Sequence, residues 1–150
     1  MTVLGGVDLK HLGYDESRWP FVVLTLPENE LTDGHFAAQL EAGNAQYARG
    51  QNFGLLVDVR KAELPSAARR RMIAENLDDN RRRHGPLLIG VAVVMSSSVA
   101  RGAFRAIQWL RQNPDPPMSA FEDVDSALAW LRERYQAAMK RNAGVSSARL

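Results

Sequence analysis

The side chains best placed to do chemistry fall between Phe53 and Arg83. An apolar run ends there in Asp58, a short loop follows, and a helix is expected to open at Leu64-Pro65-Ser66. In open α/β domains, ligands meet the protein beyond the carboxyl ends of strands, and a helix start offers N–H groups that attract anions. Ser66 at such a start has two readings. It caps the helix through its hydroxyl, or it accepts a phosphate that the helix dipole would favour. Asp58, Glu63, Asp78 and Asp79 are carboxylates that could act as bases, but no spacing pairs any of them with a partner.

The same segment carries Arg69-Arg70-Arg71 and Arg81-Arg82-Arg83. On a helix, three consecutive arginines fan around the axis and do not form a stripe. Asp78–Arg82 and Asp79–Arg83 are i, i+4 pairs in the favourable order, and Arg71 faces Glu75. Arg69, Arg70 and Arg81 are left without acidic helical neighbours. Arg70 and Arg81 share nearly one azimuth beside an Ile73/Leu77 core stripe, which makes them a candidate pair for an anion or a partner's carboxylate. The alternative is a solvated surface or tertiary ion pairs. Nucleic acid is not expected, because 19 basic residues face 17 acidic ones.

Other routes to chemistry are closed by residue type. With no cysteine there is no thiol nucleophile, zinc–thiolate site or disulfide. His11, His35 and His84 fall in no metal-ligand spacing. The chain has no G-x-S-x-G elbow, P-loop or G-x-G-x-x-G. The expectation is therefore no metal and no cofactor. His84 at a helix C-terminus reads as a capping residue.

These residues need elements to hold them. Val3–Lys10 reads as an extended edge strand and Asp15–Trp19 as a polar turn. Phe21–Leu26 is a β-branched and aromatic run that stops at Pro27. Thr32-Asp33 caps a helix that carries Phe36, Leu40, Gly43 and Tyr47 at helical spacing and ends at Gly50. Phe53–Val59 is the next strand, and Pro65 fits the first turn of the helix after it. Gly85-Pro86 ends that helix. Leu87–Met95 is apolar throughout, as a strand buried on both faces must be. Ser96–Ser98 cap a helix over Val99–Arg111, Asn113–Pro117 breaks it, and Met118–Phe121 is a short strand. Asp123 or Asp125 opens a last helix to about Lys140. The order β, β, α, β, α, β, α, β, α predicts an α/β fold: a mainly parallel, mixed sheet covered by about four helices.

Helical periodicity assigns the buried faces. Val124, Ala127, Leu128, Leu131, Tyr135 and Ala138 form the sheet-facing stripe of the last helix. Val99, Ala103, Ala106, Ile107 and Leu110 form that of the third, whose small residues would let it approach the sheet closely. Trp109 and Trp130 fall off these stripes. They either cover a neighbouring element or form an interface.

At 150 residues, 45% hydrophobic and 24% charged, the chain reads as one soluble domain. Residues 1–19 are an extension or edge strand, 20–140 the domain, and 141–150 a frayed tail. Leu87–Met95 is too short to span a bilayer. No basic segment precedes an apolar one near Met1, so a cytoplasmic location without membrane insertion is expected.

The leading strand pair, the strand–Asp step Val57-Asp58, Val99-Ala100-Arg101-Gly102 after a buried strand, and Ala127-Leu128-Ala129-Trp130-Leu131 together resemble the STAS domains. The likeness is greatest to the SpoIIAA-like branch and spans about residues 20–137. It implies a non-enzymatic regulatory module of βα-sandwich fold, and the first expectation is that the module binds a protein partner or a second copy of itself. Members that antagonise anti-sigma factors carry a D-S-[ST]-G-like phosphorylation motif at the helix start. Here that place reads Leu64-Pro65-Ser66-Ala67-Ala68, with Ser66 near the register but lacking the Asp before it and the Gly after it. The expected binding edge is Asp58, Ser66, Arg70 and Arg81, with Trp109 and Trp130 as the interface. Two alternatives stand beside it. One is a small carrier of a lipid-like or anionic ligand, with a cavity lined by the third and fourth helices. The other is an unrecognised serine or acid–base enzyme.

Overall fold

The computed structural model describes residues 3–4, 7–29 and 31–148. β1 (Val3–Leu4) and β2 (Val7–Asp8) pair antiparallel with each other. They form a separate two-stranded ribbon, not the edge of the main sheet expected of Val3–Lys10. That edge is instead β3 (Tyr14–Asp15), antiparallel to β4 (Phe21–Thr25). The reason is anchoring: Leu9, Leu12 and Tyr14 bury in the core, and the Tyr14 hydroxyl donates to Gln39 O at 2.8 Å.

From β4 onward each strand adds to the sheet in chain order and parallel to the last. β5 (Phe53–Asp58), β6 (Leu88–Val94) and β7 (Met118–Phe121) complete the sheet order β3-β4-β5-β6-β7. All seven residues of β6 are buried, as its unbroken apolar run requires. The crossovers are α1 (Asp33–Asn44, continued by a 3-10 turn to Arg49), α2 (Ala67–His84) and α3 (Ser98–Leu110). Crossovers of one hand that step in one direction all land on one face of a sheet. Accordingly Ala42, Tyr47, Leu77, Ala100 and Phe104 share a core with Leu24, Leu55, Val57, Val91 and Val93. The other face is left to α4 (Val124–Ala148), whose Ala127, Leu128 and Leu131 pack on Leu56, Ile89, Ala92 and Val94.

The two helix layers approach the sheet differently. On the α4 face, Gly54 of β5 and Gly90 of β6 are register partners. A Cβ on Gly54 would lie 3.1 Å from Leu131 Cδ2, and one on Gly90 would lie 3.0 Å from Trp130 Cζ3. The missing side chains form a dent that α4 fills. The opposite face presents branched side chains and has no such dent.

Several boundaries differ from the sequence reading. Ser66 is the N-cap of α2, so Pro65 sits just outside the helix, not in its first turn. In α3 the buried residues are Ala100 and Ile107, while Val99 and Leu110 are exposed. The true inner stripe is therefore turned towards Phe104, which packs against the core. α4 runs to Ala148, well past Lys140. No proline interrupts that stretch, and Asn142 donates to Asn52 Oδ1 at 2.9 Å, which fixes it beside the loop before β5.

Candidate functional site

Between the sheet and the α1–α3 layer lies a cavity of about 250 Å³. Its floor is the inner side chains of β4, β5 and β6: Leu24, Leu55, Val57, Val91 and Val93. Its roof comes from Phe36 and Leu40 of α1, Ile73 and Leu77 of α2, and Ala100, Ala103, Phe104 and Ile107 of α3. Among the described residues, none of α4 lines it, so the expected third-and-fourth-helix lining is corrected to the first three helices. The small α3 residues do not bring that helix close to the sheet. They leave volume beneath it.

Hydrogen bonds tie the helices above the cavity to one another. Asn44 at the end of α1 donates to Asn76 Oδ1 at 3.0 Å and accepts from Asn80 Nδ2 at 2.7 Å, both on α2. Asp78 of α2 is buried and accepts from Gln112 N at 2.9 Å and Asn113 N at 3.2 Å beyond α3. Asp78 thus does not form the surface pair with Arg82 expected from spacing; Arg82 and Arg83 both turn to Asp79. These bonds join helix to helix and helix α2 to the segment after α3. Two phenols line the cavity. Burial drives the Tyr14 hydroxyl well above its usual range and pushes Tyr47 up to about 12, so both stay neutral donors in a poorly hydrated space.

The exposed lining residues are Pro27, Asn29, Glu63, Leu64 and Ser66. All lie on the two loops that leave the carboxyl ends of β4 and β5, so the mouth opens there, where open α/β sheets bind ligands. Ser66 is at this mouth. Its Oγ accepts from Arg69 N at 3.2 Å, an N-cap bond. Arg69, one turn into α2, lies over the Phe36 ring at 4.8 Å and donates through Nη2 to Leu31 O at 2.6 Å and Asp33 Oδ1 at 3.1 Å. Its side chain is 15% exposed, whereas that of Asp33 is fully exposed.

The other expected edge residues do not gather at this point. Asp58 takes the α4-side position of its strand and binds Arg60, Oδ2 to Nη2 at 2.8 Å and Oδ1 to Nε at 3.0 Å. The hydrogen bond from Arg60 holds its carboxyl below the usual range. Arg70 donates to Pro65 O at 2.9 Å. Arg81 lies eleven residues further along α2, about 16 Å at helical rise, and approaches Asp115 at 3.7 Å. Shared azimuth on α2 therefore does not make Arg70 and Arg81 neighbours. Trp130 is half-buried above Gly90 with its ring 5.6 Å from Phe121, an internal packing role. Trp109 is 87% exposed beside exposed Leu110.

Among the described residues, neither Ser66 nor Ser97 has a histidine or carboxylate hydrogen-bonded to its hydroxyl. Ser97 Oγ accepts from Ala100 N as the cap of α3. His84 stacks on Tyr47 at 4.7 Å, and Gly85, at φ +71°, takes the C-cap position of α2. His11 stacks on His35 at 6.1 Å. No three His, Asp or Glu side chains among the described residues converge as a metal set. No described helix is long and apolar enough to cross a membrane. No family model, curated protein or solved structure matches the chain.

The residues that sequence reasoning missed are the cavity walls and Arg69. The wall carried a faint signal: Phe53, Leu55 and Val57 alternate with Gly54, Leu56 and Asp58, which marks two different faces of β5. Nothing local distinguished Arg69 from Arg70, because what singles it out is a carbonyl and a ring more than thirty residues away.

Proposed function

We propose that the protein is a SpoIIAA-like binding module that carries a small apolar or amphipathic ligand in the cavity beneath α1–α3. The cavity carries the reading. Ligand pockets are typically apolar concavities with a few placed polar groups, and one of about 250 Å³ lies at the edge where α/β folds bind ligands. The fold-family part of the reading is supported by strands laid down in chain order with every crossover on one face. A ligand held there would bridge the sheet to the helix layer at the site where the two are least in contact.

The test uses 1-decanol as an uncharged probe, followed by thermal denaturation and isothermal titration. At a hundredfold excess over Kd the ligand adds about 2.7 kcal/mol of stability, a rise of roughly 5–11 °C in Tm for a chain of this size. No shift with decanol, together with no co-purified ligand in native mass spectra, would end the reading.

A second reading rests on Trp109. With Val99 66% and Leu110 40% exposed on the same helix, the outer face of α3 is a surface for a protein partner or a second copy, since tryptophan is enriched at interface hot spots. Concentration-dependent mass by light scattering that Trp109→Ser abolishes would support pairing. A monomer at every concentration would remove the homodimer.

A further inference from the structure

We infer that the ligand of this cavity is a monocarboxylate with an apolar body of about ten heavy atoms, its carboxylate bound by Arg69 at the mouth; this rests on the carrier reading. The size follows from the volume. A cavity of about 150 Å³ accommodates benzene, so 250 Å³ accommodates a body of about ten heavy atoms on the same scale.

The charge of the head group follows from the rim. Among the described residues, Arg69 and Glu63 are the only ionisable ones lining the cavity besides the two tyrosines. They are not equivalent. Glu63 is exposed on its loop, where water screens it. Arg69 is largely covered, with the Phe36 ring beneath its guanidinium. Its only carboxylate partner among the described residues, Asp33, is fully exposed and so contributes little attraction. Both protein contacts of the guanidinium use Nη2, which leaves Nε and Nη1 without a hydrogen-bond partner among the described residues. A partly desolvated guanidinium with spare donors at the rim of an apolar space binds a carboxylate strongly and directionally. The amino end of α2, an 18-residue helix capped by Ser66, points its positive dipole end at the same mouth and adds to the preference. The apolar body would lie between Val57, Val93 and Phe104, where no charged side chain competes.

Decanoate and 1-decanol share a chain length and differ in the head group, so their affinities by titration calorimetry at neutral pH test the assignment. Wild type is expected to bind decanoate about ten- to a hundredfold tighter than decanol. Arg69→Gln should erase that preference while decanol affinity stays within about threefold, which also shows that the cavity is still folded. Arg69→Lys should retain part of the preference, since the charge remains and the planar fork is lost. Equal affinities in wild type, or a preference that survives in Arg69→Gln, would overturn the carboxylate assignment and leave the carrier reading intact. Failure of both probes to bind wild type would overturn the two together.

Discussion

Gly90→Ala isolates the reason that one helix layer sits tight and the other stands off. The added Cβ would meet Trp130 at 3.0 Å (Cζ3) and 3.1 Å (Cη2) and Leu131 Cδ2 at 3.5 Å. The first two distances are a few tenths of an ångström tighter than an ordinary carbon–carbon contact. The ring is bulky and packs against Phe121 at 5.6 Å, so giving way disturbs that contact. Overpacking of this kind costs about 1–3 kcal/mol. Reduced freedom of the unfolded chain returns about 0.4–1 kcal/mol. The expected net loss is therefore about 1–2 kcal/mol, or roughly 2–8 °C in Tm, read from urea and thermal unfolding followed by circular dichroism. Gly102→Ala is the matched control: nothing lies within 4 Å of its added Cβ, and the site is an exposed helix interior. It should gain about 1 kcal/mol. A Gly90→Ala protein as stable as wild type would refute the account of the glycine dent.

The remaining predictions concern the cavity layer and the mouth. Ala103→Leu should fill part of the cavity, raise stability by up to about 2 kcal/mol through burial of three carbons less side-chain entropy, and abolish decanol binding; a destabilised variant would mean that the space is not there. Asp78→Ala should cost about 1–3 kcal/mol, because it removes the buried acceptor of the part-buried Gln112 and Asn113 N–H groups, whereas Asp79→Ala, which breaks only exposed pairs, should cost under about 1 kcal/mol. Asp58 has a folded-state pKa below its ordinary 3.8 because Arg60 bonds it. Its stabilising contribution is therefore complete above that value and lost as pH falls through the depressed one. The fall in urea midpoint between pH 5 and about pH 2 should be shallower in Asp58→Asn, and an unchanged slope would show the pair to be irrelevant.

Sequence alone determined the parts of this protein that depend on local physics. β6 was legible as a strand buried on both faces because its apolar run has no polar position. The helix starts at Thr32, Ser66 and Ser97 were legible to within a residue or so, since a cap needs only a hydroxyl two or three positions before a free N–H. The order of elements predicted the mixed, mostly parallel sheet and its four covering helices. Local signals failed where a residue had a choice of distant partners. Asp78 left its helical neighbour Arg82 for two backbone groups past α3. Trp130 settled over a glycine of β6, and Arg70 and Arg81, aligned on a helical wheel, ended at opposite ends of α2. The cavity is the extreme case. No residue encodes an empty space; it is lined by side chains from three strands and three helices that meet only in the folded chain. Which arginine stands at its mouth was settled by tertiary geometry, through the Leu31 carbonyl and the Phe36 ring that Arg69 contacts.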